Sequence, residues 1–463
     1  MKTLLTAAAF AALLAGAGPS IAADSAATVA GRWDAVLSRD GAEIAFRLDI
    51  KGDGPTLQGV FYDGFQPYDG TTSASFKDGK LVLTAQHYNT TISATLSDGK
   101  LTGVLDGHNR EQNSHYSFRA TRHVDAPVSA ATGPAIAGTW VIPLATPSSK
   151  GEKAFRMIVE QKGGETAASI LRIDGDTGAY TGGYKDGKWV LSHFDGGRPG
   201  VIVVAQKADG TLEVRQQVDR PGAAAQAGAN AGDYKTANAG ANEYAAASTP
   251  DGRYAPALIA YRQEVAQAKG LPAPDDFMTH TTARDPNETF AFNFPDENGK
   301  LISNEDPRFK GKVVLAIVTG TWCPNCHDEA QYLVELDKKY RDKGLAIVAL
   351  DFEEPEQQGG LARAKAFVKQ YGVKYTYLYA GAPEEMWEKV PQLNHLDTWP
   401  ATVFVGRDGK VKAVHSGFAS PATGEFHAQL QKEFTSRIEQ LLAENARSNV
   451  AAATPVAAGS KLN

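Results

Sequence analysis

An internal duplication constrains the fold of the N-terminal half of this chain. Between about residue 30 and residue 218, short stretches of alternating apolar and polar residues are separated by Asp-Gly turns, a pattern typical of antiparallel strands. Four ordered matches relate this region to itself at offsets of 107, 109, 108 and 111 residues: GRW and GTW, FRL and FRM, FKDGKLVL and YKDGKWVL, DGKL and DGTL. The nearly constant offset predicts two tandem all-β modules, each a barrel or sandwich of roughly seven or eight strands.

Each module opens with a Gly-x-Trp tripeptide, which contains Trp33 in the first copy and Trp140 in the second. This tripeptide resembles the first strand of lipocalin-type barrels, a resemblance that implies a ligand cavity. Buried aromatic side chains dominate protein cores, however, and we expect both tryptophans to be core residues. We expect His87 and His193, which fall at similar positions in the two copies, to be solvated strand residues. The sequence does not indicate a function for this half.

Composition and charge exclude several classes of function. The chain has 463 residues, enough for roughly two to four domains. Its formal net charge of −6 and its pI near 6.0 provide no basic field for nucleic acid or anionic lipid. A hydrophobic fraction of 42% and a mean hydropathy of −0.31 exclude a membrane-embedded protein. The two cysteines lie within four positions of each other and cannot form a disulfide scaffold.

The first 23 residues have the layout of a cleaved secretory signal. Lys2 precedes an apolar stretch from Leu4 to Ala17, and a small-x-small site follows at Ser20 to Ala22. A membrane anchor, the alternative, needs about 20 apolar residues, and this stretch is shorter. We therefore predict export, with the periplasm as the destination, an oxidising compartment in which a free cysteine pair is redox-active.

Composition shifts along the chain predict its domain boundaries. The stretch after the second module is rich in Ala, Gly and Asn and cannot bury a core, so it is predicted to be a linker. Residues 257–269 have helical character and end at a Gly, with a Pro beyond. The predicted segments are a signal peptide (1–23), β module 1 (24–125), β module 2 (133–218), the linker (219–253), an α/β domain (254–445) and a disordered tail (446–463).

The chemistry of the chain is concentrated in the C-terminal domain. A β-branched apolar run, KVVLAIVT, is followed at once by GTWCPNCHDE and an amphipathic helix. Strands and helices are then predicted in the order β-α-β-α-β-β-β-α. Cys323 and Cys326 therefore open the first helix, where backbone N–H groups and the macrodipole stabilise a thiolate. Their spacing is short enough for a disulfide, and Pro324 suits a first helical turn because it has no N–H to lose.

From about Phe290 to Glu444, the chain resembles the thioredoxin-like superfamily, specifically its TlpA/ResA branch of periplasmic thiol-disulfide oxidoreductases. The motifs that carry the resemblance are FNFP, NGK, GKVV, WCxxC, a Glu three residues after the second cysteine, and WP before TVFVGRDGK. Pro324 and Asn325 between the cysteines, and Trp399 before the proline, depart from the family pattern. The resemblance implies that an α/β thioredoxin-like domain follows the two β modules in the chain. It also implies that the protein is a protein disulfide oxidoreductase, with a reductase favoured over an oxidase or isomerase.

The resemblance also implies roles for individual residues, with no cofactor and no metal. Cys323, as the more exposed sulfur, attacks the substrate disulfide. Cys326 resolves the mixed disulfide with Glu329 as its base. A cis-proline loop binds the substrate strand, and a membrane electron donor re-reduces the pair, for example in cytochrome c maturation. The predicted catalytic residues are Cys323, Cys326 and Glu329, and the predicted substrate-binding residues are Trp322, Trp399 and Pro400.

Several alternatives remain open at the level of sequence. Zinc needs two further ligands beyond the cysteine pair. Cys-x-x-Cys-His matches a haem attachment pattern, but the buried strand that leads straight into it argues against haem. If no haem is attached, His327 is expected to be a surface residue of the first helical turn. Thiol peroxidases place Thr three residues before the reactive Cys, where this chain has Gly320. From another class, the β half could bind a ligand or partner, with the redox domain as an accessory.

Overall fold

The computed structural model describes residues 28–109, 112–124, 133–176, 178–217, 254–354 and 361–452. The predicted signal peptide and the whole of the predicted linker lie outside these ranges. The chain is mostly β, with two N-terminal β units and a C-terminal α/β domain. Within the described ranges, no helix has the length and apolar character needed to cross a membrane.

The first unit is a nine-stranded antiparallel sheet with the order β4-β3-β2-β1-β9-β8-β7-β6-β5. Asp-Gly turns with positive φ connect its hairpins, as at Asp78 and Gly79. The strands are β1 (Gly31–Arg39), β2 (Ala42–Lys51), β3 (Gln58–Asp63), β4 (Gln66–Gly70), β5 (Ser73–Lys77), β6 (Lys80–Ala85), β7 (Thr90–Ser97), β8 (Lys100–Asn109) and β9 (Gln112–Arg122).

The second unit is a closed barrel in which eight strands follow one another in chain order. Buried apolar side chains, among them Trp140, Met157 and Trp189, fill its interior. The strands are β10 (Gly138–Pro143), β11 (Ala154–Lys162), β12 (Glu165–Leu171), β13 (Tyr180–Lys185), β14 (Lys188–His193), β15 (Gly200–Gln206), β16 (Leu212–Gln216) and β17 (Leu258–Arg262).

The two predicted core tryptophans occupy equivalent places in the two units. Trp33 and Trp140 are 0% and 1% exposed, and each indole N–H donates to the carbonyl four residues earlier. Arg122 lies 4.0 Å from the Trp33 ring centroid, and Arg262 lies 4.1 Å from that of Trp140. The prediction that both are core residues is confirmed, and the arginines on the last strand of each unit extend the duplication beyond the residues that matched in sequence.

Arg262 belongs to a strand that the sequence did not predict. Residues 257–269 were expected to form a helix, but Leu258–Arg262 is β17, which pairs with β10 and β16 and closes the barrel. Only Gln263–Ala268 is helical, as α1. This strand follows the predicted linker in the chain and completes the second β unit. It is equivalent to β9, because Trp140 faces Arg262 across the β10–β17 pair just as Trp33 faces Arg122 across the β1–β9 pair.

The C-terminal domain has a five-stranded sheet with the order β23-β22-β21-β25-β26. Strands β21 to β23 are parallel, and β25 and β26 are added in antiparallel pairs. The predicted β-α-β-α-β-β-β-α order is present, with a four-residue helix and the two-residue strand β24 added between β23 and β25. The strands are β18 (Thr282–Ala283), β19 (Asn293–Pro295), β20 (Leu301–Ser303), β21 (Val313–Thr319), β22 (Leu345–Phe352), β23 (Thr376–Gly381), β24 (Leu393–Asn394), β25 (Ala401–Val405) and β26 (Val411–Ser416).

Within the described residues, four helices complete this domain. They are α2 (Pro324–Tyr340), α3 (Ala362–Tyr371), α4 (Met386–Lys389) and α5 (Glu425–Ala452). Helix α5 extends beyond residue 446, where the sequence predicts the start of a disordered tail. Every residue of β21 is buried, as its apolar sequence predicts, and α2 follows it directly with its first turn buried.

Candidate active site

The two cysteines lie at the N-terminus of α2, as predicted. Cys323 is the N-cap residue, and Pro324 occupies the first helical position. Both thiols are free, and they are 3% and 1% exposed. Cys323 is thus marginally the more exposed of the two residues, as expected, but both are buried. The sequence could not reveal this, because residues of the β half contribute to the burial.

The surroundings of the two thiols move their pKa values in opposite directions. Burial raises the pKa of Cys323, but hydrogen bonding with Cys326 and the charge of Arg198 outweigh it, so this pKa lies below the ordinary thiol value. Burial and the neighbouring Cys323 sulfur raise the pKa of Cys326 well above that value. Arg198 belongs to the loop between β14 and β15 of the barrel, so the β half influences the reactivity of the pair.

A cis peptide bond joins Trp399 and Pro400, next to the cysteine pair, as the sequence led us to expect. The Cys323 thiol donates to the Trp399 carbonyl oxygen at 3.4 Å. The Trp322 indole N–H donates to the Phe352 carbonyl at 2.9 Å, and its ring meets that of Trp399 edge to face at 5.0 Å between centroids. The structure thus brings all three predicted substrate-binding residues around Cys323.

Glu329 is 1% exposed on the second turn of α2. Burial is the main reason why its pKa rises to about 8, although a hydrogen bond from the Thr402 hydroxyl to Oε1 opposes that rise. Among the described residues, Oε2 has no hydrogen-bond partner. A carboxyl group in this state can release and take up a proton close to neutral pH.

A loop of the barrel packs against the residues around the cysteines. The carbonyl of Asp174, between β12 and β13, accepts a hydrogen bond from the Asn325 side-chain amide and another from the Phe418 backbone N–H, both at 2.9 Å. A Cβ atom on Gly175 would lie 2.1 Å from the Phe418 carbonyl and 2.8 Å from the Asn325 side chain. Only glycine fits there, so the loop is closely fitted to the Cys-Pro-Asn-Cys segment.

The histidine after the second cysteine is also part of this junction. His327 is fully buried, with Nε2 donating to the Thr321 carbonyl at 2.8 Å and Nδ1 lying 2.6 Å from the Tyr371 hydroxyl. Its ring packs on His87 of the first β unit, with centroids 4.5 Å apart. The expectations of a surface His327 and of solvated His87 and His193 are wrong, because the packing of the units buries all three.

Burial keeps two of these imidazoles neutral. It lowers the pKa of His87 to about 4 and that of His327 to about 3. The pKa of the buried His193 is raised instead, because hydrogen bonding to Asp195 and its charge outweigh desolvation. Sequence reasoning missed the contribution of the β half to this site, and no local motif in that half indicates it.

Part of this chain is similar to known proteins. Residues 274–430 match a family model described as Redoxin. The thiol-disulfide oxidoreductase ResA of Bacillus anthracis is 34% identical over 116 residues, which cover 25% of this chain and 60% of the relative. ResA of Bacillus subtilis strain 168 is 29% identical over 126 residues, covering 27% and 64%. The C-terminal domain is a thioredoxin-like domain of the TlpA/ResA type. As these coverages show, the match spans less than two thirds of the length of either ResA relative.

Solved structures also align with part of this chain. A thiol-disulfide oxidoreductase from Bacteroides fragilis has 18% identity and a TM-score of 0.24, covering 31% of this chain and 99% of its own. A DsbF homologue from Corynebacterium diphtheriae has 19% identity and a TM-score of 0.26, covering 34% and 92%.

Proposed function

We propose that this protein is an exported thiol-disulfide oxidoreductase that reduces protein disulfides through Cys323 and Cys326. The observation that carries the proposal is the position of the cysteine pair at the N-terminus of α2. There the Cys323 thiol donates a hydrogen bond to the carbonyl of Trp399, the residue before the cis Pro400. The similarity of the thioredoxin-like domain to ResA proteins supports it. The periplasm is the proposed compartment, and a membrane electron donor is the proposed source of reducing equivalents.

The first step uses the lowered pKa of Cys323. Its thiolate attacks one sulfur of a substrate disulfide, so that a Cys323–substrate bond forms and the second substrate sulfur leaves as a thiolate that takes up a proton. The backbone beside Pro400 holds the substrate strand by β-type pairing, with Trp322 and Trp399 as its neighbours.

The second step needs Cys326 as a thiolate, although burial raises its pKa. Glu329 accepts the Cys326 proton because its own pKa is about 8. Cys326 then attacks the Cys323 sulfur, forming the intramolecular disulfide and releasing the remaining substrate sulfur as a thiolate that is then protonated. The substrate gains two electrons, the cysteine pair loses two, and the electron donor returns the pair to the dithiol.

Disulfide reduction by the full chain tests this function directly. Insulin with dithiothreitol as the electron donor should be reduced at a rate well above that of dithiothreitol alone. Cys323→Ser should abolish this acceleration, and Cys326→Ser should accumulate a mixed disulfide between Cys323 and insulin. An insulin reduction rate unchanged by Cys323→Ser would contradict the proposal.

The structure disfavours thiol peroxidase chemistry at this site. The position three residues before Cys323, where that chemistry needs a Thr side chain, is Gly320. A Cβ atom there would lie 2.4 Å from the Trp322 indole nitrogen and 2.9 Å from the Phe352 carbonyl. A hydroxyl-bearing side chain therefore has no room at this position.

A further inference from the structure

Three buried side chains with metal-ligand chemistry meet where the first β unit contacts α2. Asp69 lies on β4, His87 follows β6, and His327 lies in the first turn of α2. They are 5%, 1% and 0% exposed, and one ligand-type atom from each lies within 4.8 Å of the other two. Because they are far apart in the sequence, no local motif indicates the cluster.

The distances between these atoms suit a small ion. Asp69 Oδ2 lies 3.6 Å from His87 Nε2 and 4.0 Å from His327 Nδ1. Bonds of about 2.0–2.2 Å in a tetrahedral zinc site place neighbouring ligand atoms roughly 3.3 Å apart. The remaining pair, one nitrogen from each histidine, lies within 4.8 Å. Side-chain shifts of up to about 1 Å would therefore bring all three atoms into ligand positions.

Hydrogen bonds already orient two of the three side chains. Since Nε2 of His327 donates to the Thr321 carbonyl at 2.8 Å, Nδ1 of the neutral ring carries the lone pair that faces Asp69. Oδ1 of Asp69 accepts from the Gly70 N–H at 2.7 Å and from the Gln370 side chain at 3.1 Å, while Oδ2 faces the histidines. Such outer hydrogen bonds orient the ligands of protein metal sites.

A carboxylate oxygen of Asp69 and a ring nitrogen of His327 both face the Tyr371 hydroxyl. The Tyr371 hydroxyl lies 2.7 Å from Asp69 Oδ2 and 2.6 Å from His327 Nδ1. Both atoms are acceptors when Asp69 is ionised, but the hydroxyl has a single proton and can donate to only one of them. A divalent cation satisfies both acceptors and offsets the buried negative charge.

We propose that Asp69, His87 and His327 bind a divalent transition-metal ion of the zinc type. Neutral imidazole and carboxylate oxygen are ligands that zinc accepts. Two ligands come from the first β unit and one from the thioredoxin-like domain. The bound ion therefore joins the two units at the residue next to Cys326.

Calorimetric titration with Zn²⁺ tests the site. The full chain is used without a polyhistidine tag, stripped with a chelator, and carries Cys323→Ser and Cys326→Ser so that thiols cannot bind the ion. We expect one Zn²⁺ per chain. Asp69→Asn, His87→Gln and His327→Gln should each weaken the Zn²⁺ affinity by about 100-fold or more. Mutation of a residue that only hydrogen-bonds to a metal ligand already lowers metal affinity by about 10- to 100-fold. His115→Gln, an exposed histidine paired with Asp106, is the matched control and should bind normally.

Cobalt absorption keeps the test decisive if a ligand variant fails to fold. With Co²⁺, the same serine double variant should show the visible bands of a tetrahedral site with nitrogen and oxygen ligands. Absence of stoichiometric Zn²⁺ binding and of these bands would overturn the proposal. So would an affinity that folded His87→Gln and His327→Gln variants leave unchanged, or that His115→Gln lowers equally.

Discussion

The side-chain amide of Asn325, between the two cysteines, donates a hydrogen bond to the backbone carbonyl of Asp174 in the barrel at 2.9 Å. The redox motif and a loop more than a hundred residues away are thus parts of one structure. Cys323 lies beside this contact and is 3% exposed, so we expect a protein substrate to reach it only when the contact opens. On this interpretation, the β half controls access to the cysteine pair.

Loosening the Asp174 loop should expose Cys323. Gly175→Ala places a methyl group 2.1 Å from the Phe418 carbonyl, so the loop has to move away. We expect reduced Cys323 to react several-fold faster with a bulky thiol reagent. Gly187→Ala is the matched control, because Gly187 also has a positive φ (80°) but has open space around its Cβ position. Equal rates of Cys323 modification in the two variants would contradict the closed-site interpretation.

The charge of Arg198 should be visible in the pH profile of Cys323 alkylation. Arg198→Gln removes a charge that lowers the pKa of this thiol, so the profile should move to higher pH. Arg198→Lys should keep most of the effect. Arg215→Gln, which alters a barrel arginine paired with Glu213, should leave the profile unchanged. A profile that Arg198→Gln does not move would refute the electrostatic role.

The proposed base should affect turnover in a pH-dependent way. Glu329→Gln keeps the shape of the side chain but cannot accept the Cys326 proton, so turnover near neutral pH should fall by about 100-fold. The deficit should shrink at higher pH as Cys326 ionises unaided. Alkylation of Cys323 should change less, because the helix N-terminus still stabilises that thiolate. Wild-type turnover between pH 6 and 8 would show that Glu329 is not the base.

The same substitution should change how stability depends on pH. The pKa of Glu329 rises from 4.5 to about 8 on folding, so between these values the folded state holds a proton that the unfolded state has lost. Because the folded state must release this proton, the free energy of unfolding of the wild type falls as pH rises from 5 to 8. The Glu329→Gln variant has no such proton, so its stability relative to the wild type should increase across that pH range, as measured by urea unfolding. A pH-independent difference would place the pKa of Glu329 near its ordinary value.

The arginine on the last strand of each β unit should stabilise that unit. Arg262→Met removes the contact with the Trp140 ring and a hydrogen bond to the Ala137 carbonyl, and should lower the free energy of unfolding by about 1–3 kcal/mol. The control, Arg308→Met, removes a surface ion pair with Asp306 and should change it by less than about 1 kcal/mol. Urea unfolding measures both, and equal effects would refute a structural role for Arg262.

Local patterns in the sequence predicted much of this architecture. The apolar run of β21 and the Cys-x-x-Cys after it placed both cysteines and Glu329 correctly, because a buried strand followed by an amphipathic helix has few alternatives. The repeated Gly-x-Trp segments predicted two core tryptophans. Strand β17 was missed because LIAYR also fits a helix, and only its partners across the barrel decide between the two structures.

The polar junction could not be predicted from the sequence. His87 and His327 look like surface residues in their own segments, and their burial depends on contacts between domains. The same is true of Arg198, which has no sequence link to the cysteines. Contacts of this kind join residues that are more than a hundred positions apart, and one sequence contains no local signal for them.

A redox titration of the Cys323–Cys326 couple in the full chain tests the central claim most directly. We predict a single two-electron transition with a midpoint near that of thioredoxin, about −270 mV, as a reductase requires. Cys323→Ser and Cys326→Ser should each abolish it. A midpoint near about −120 mV, typical of a strong oxidant, would contradict the reductase role, and the absence of any two-electron transition would contradict redox activity altogether.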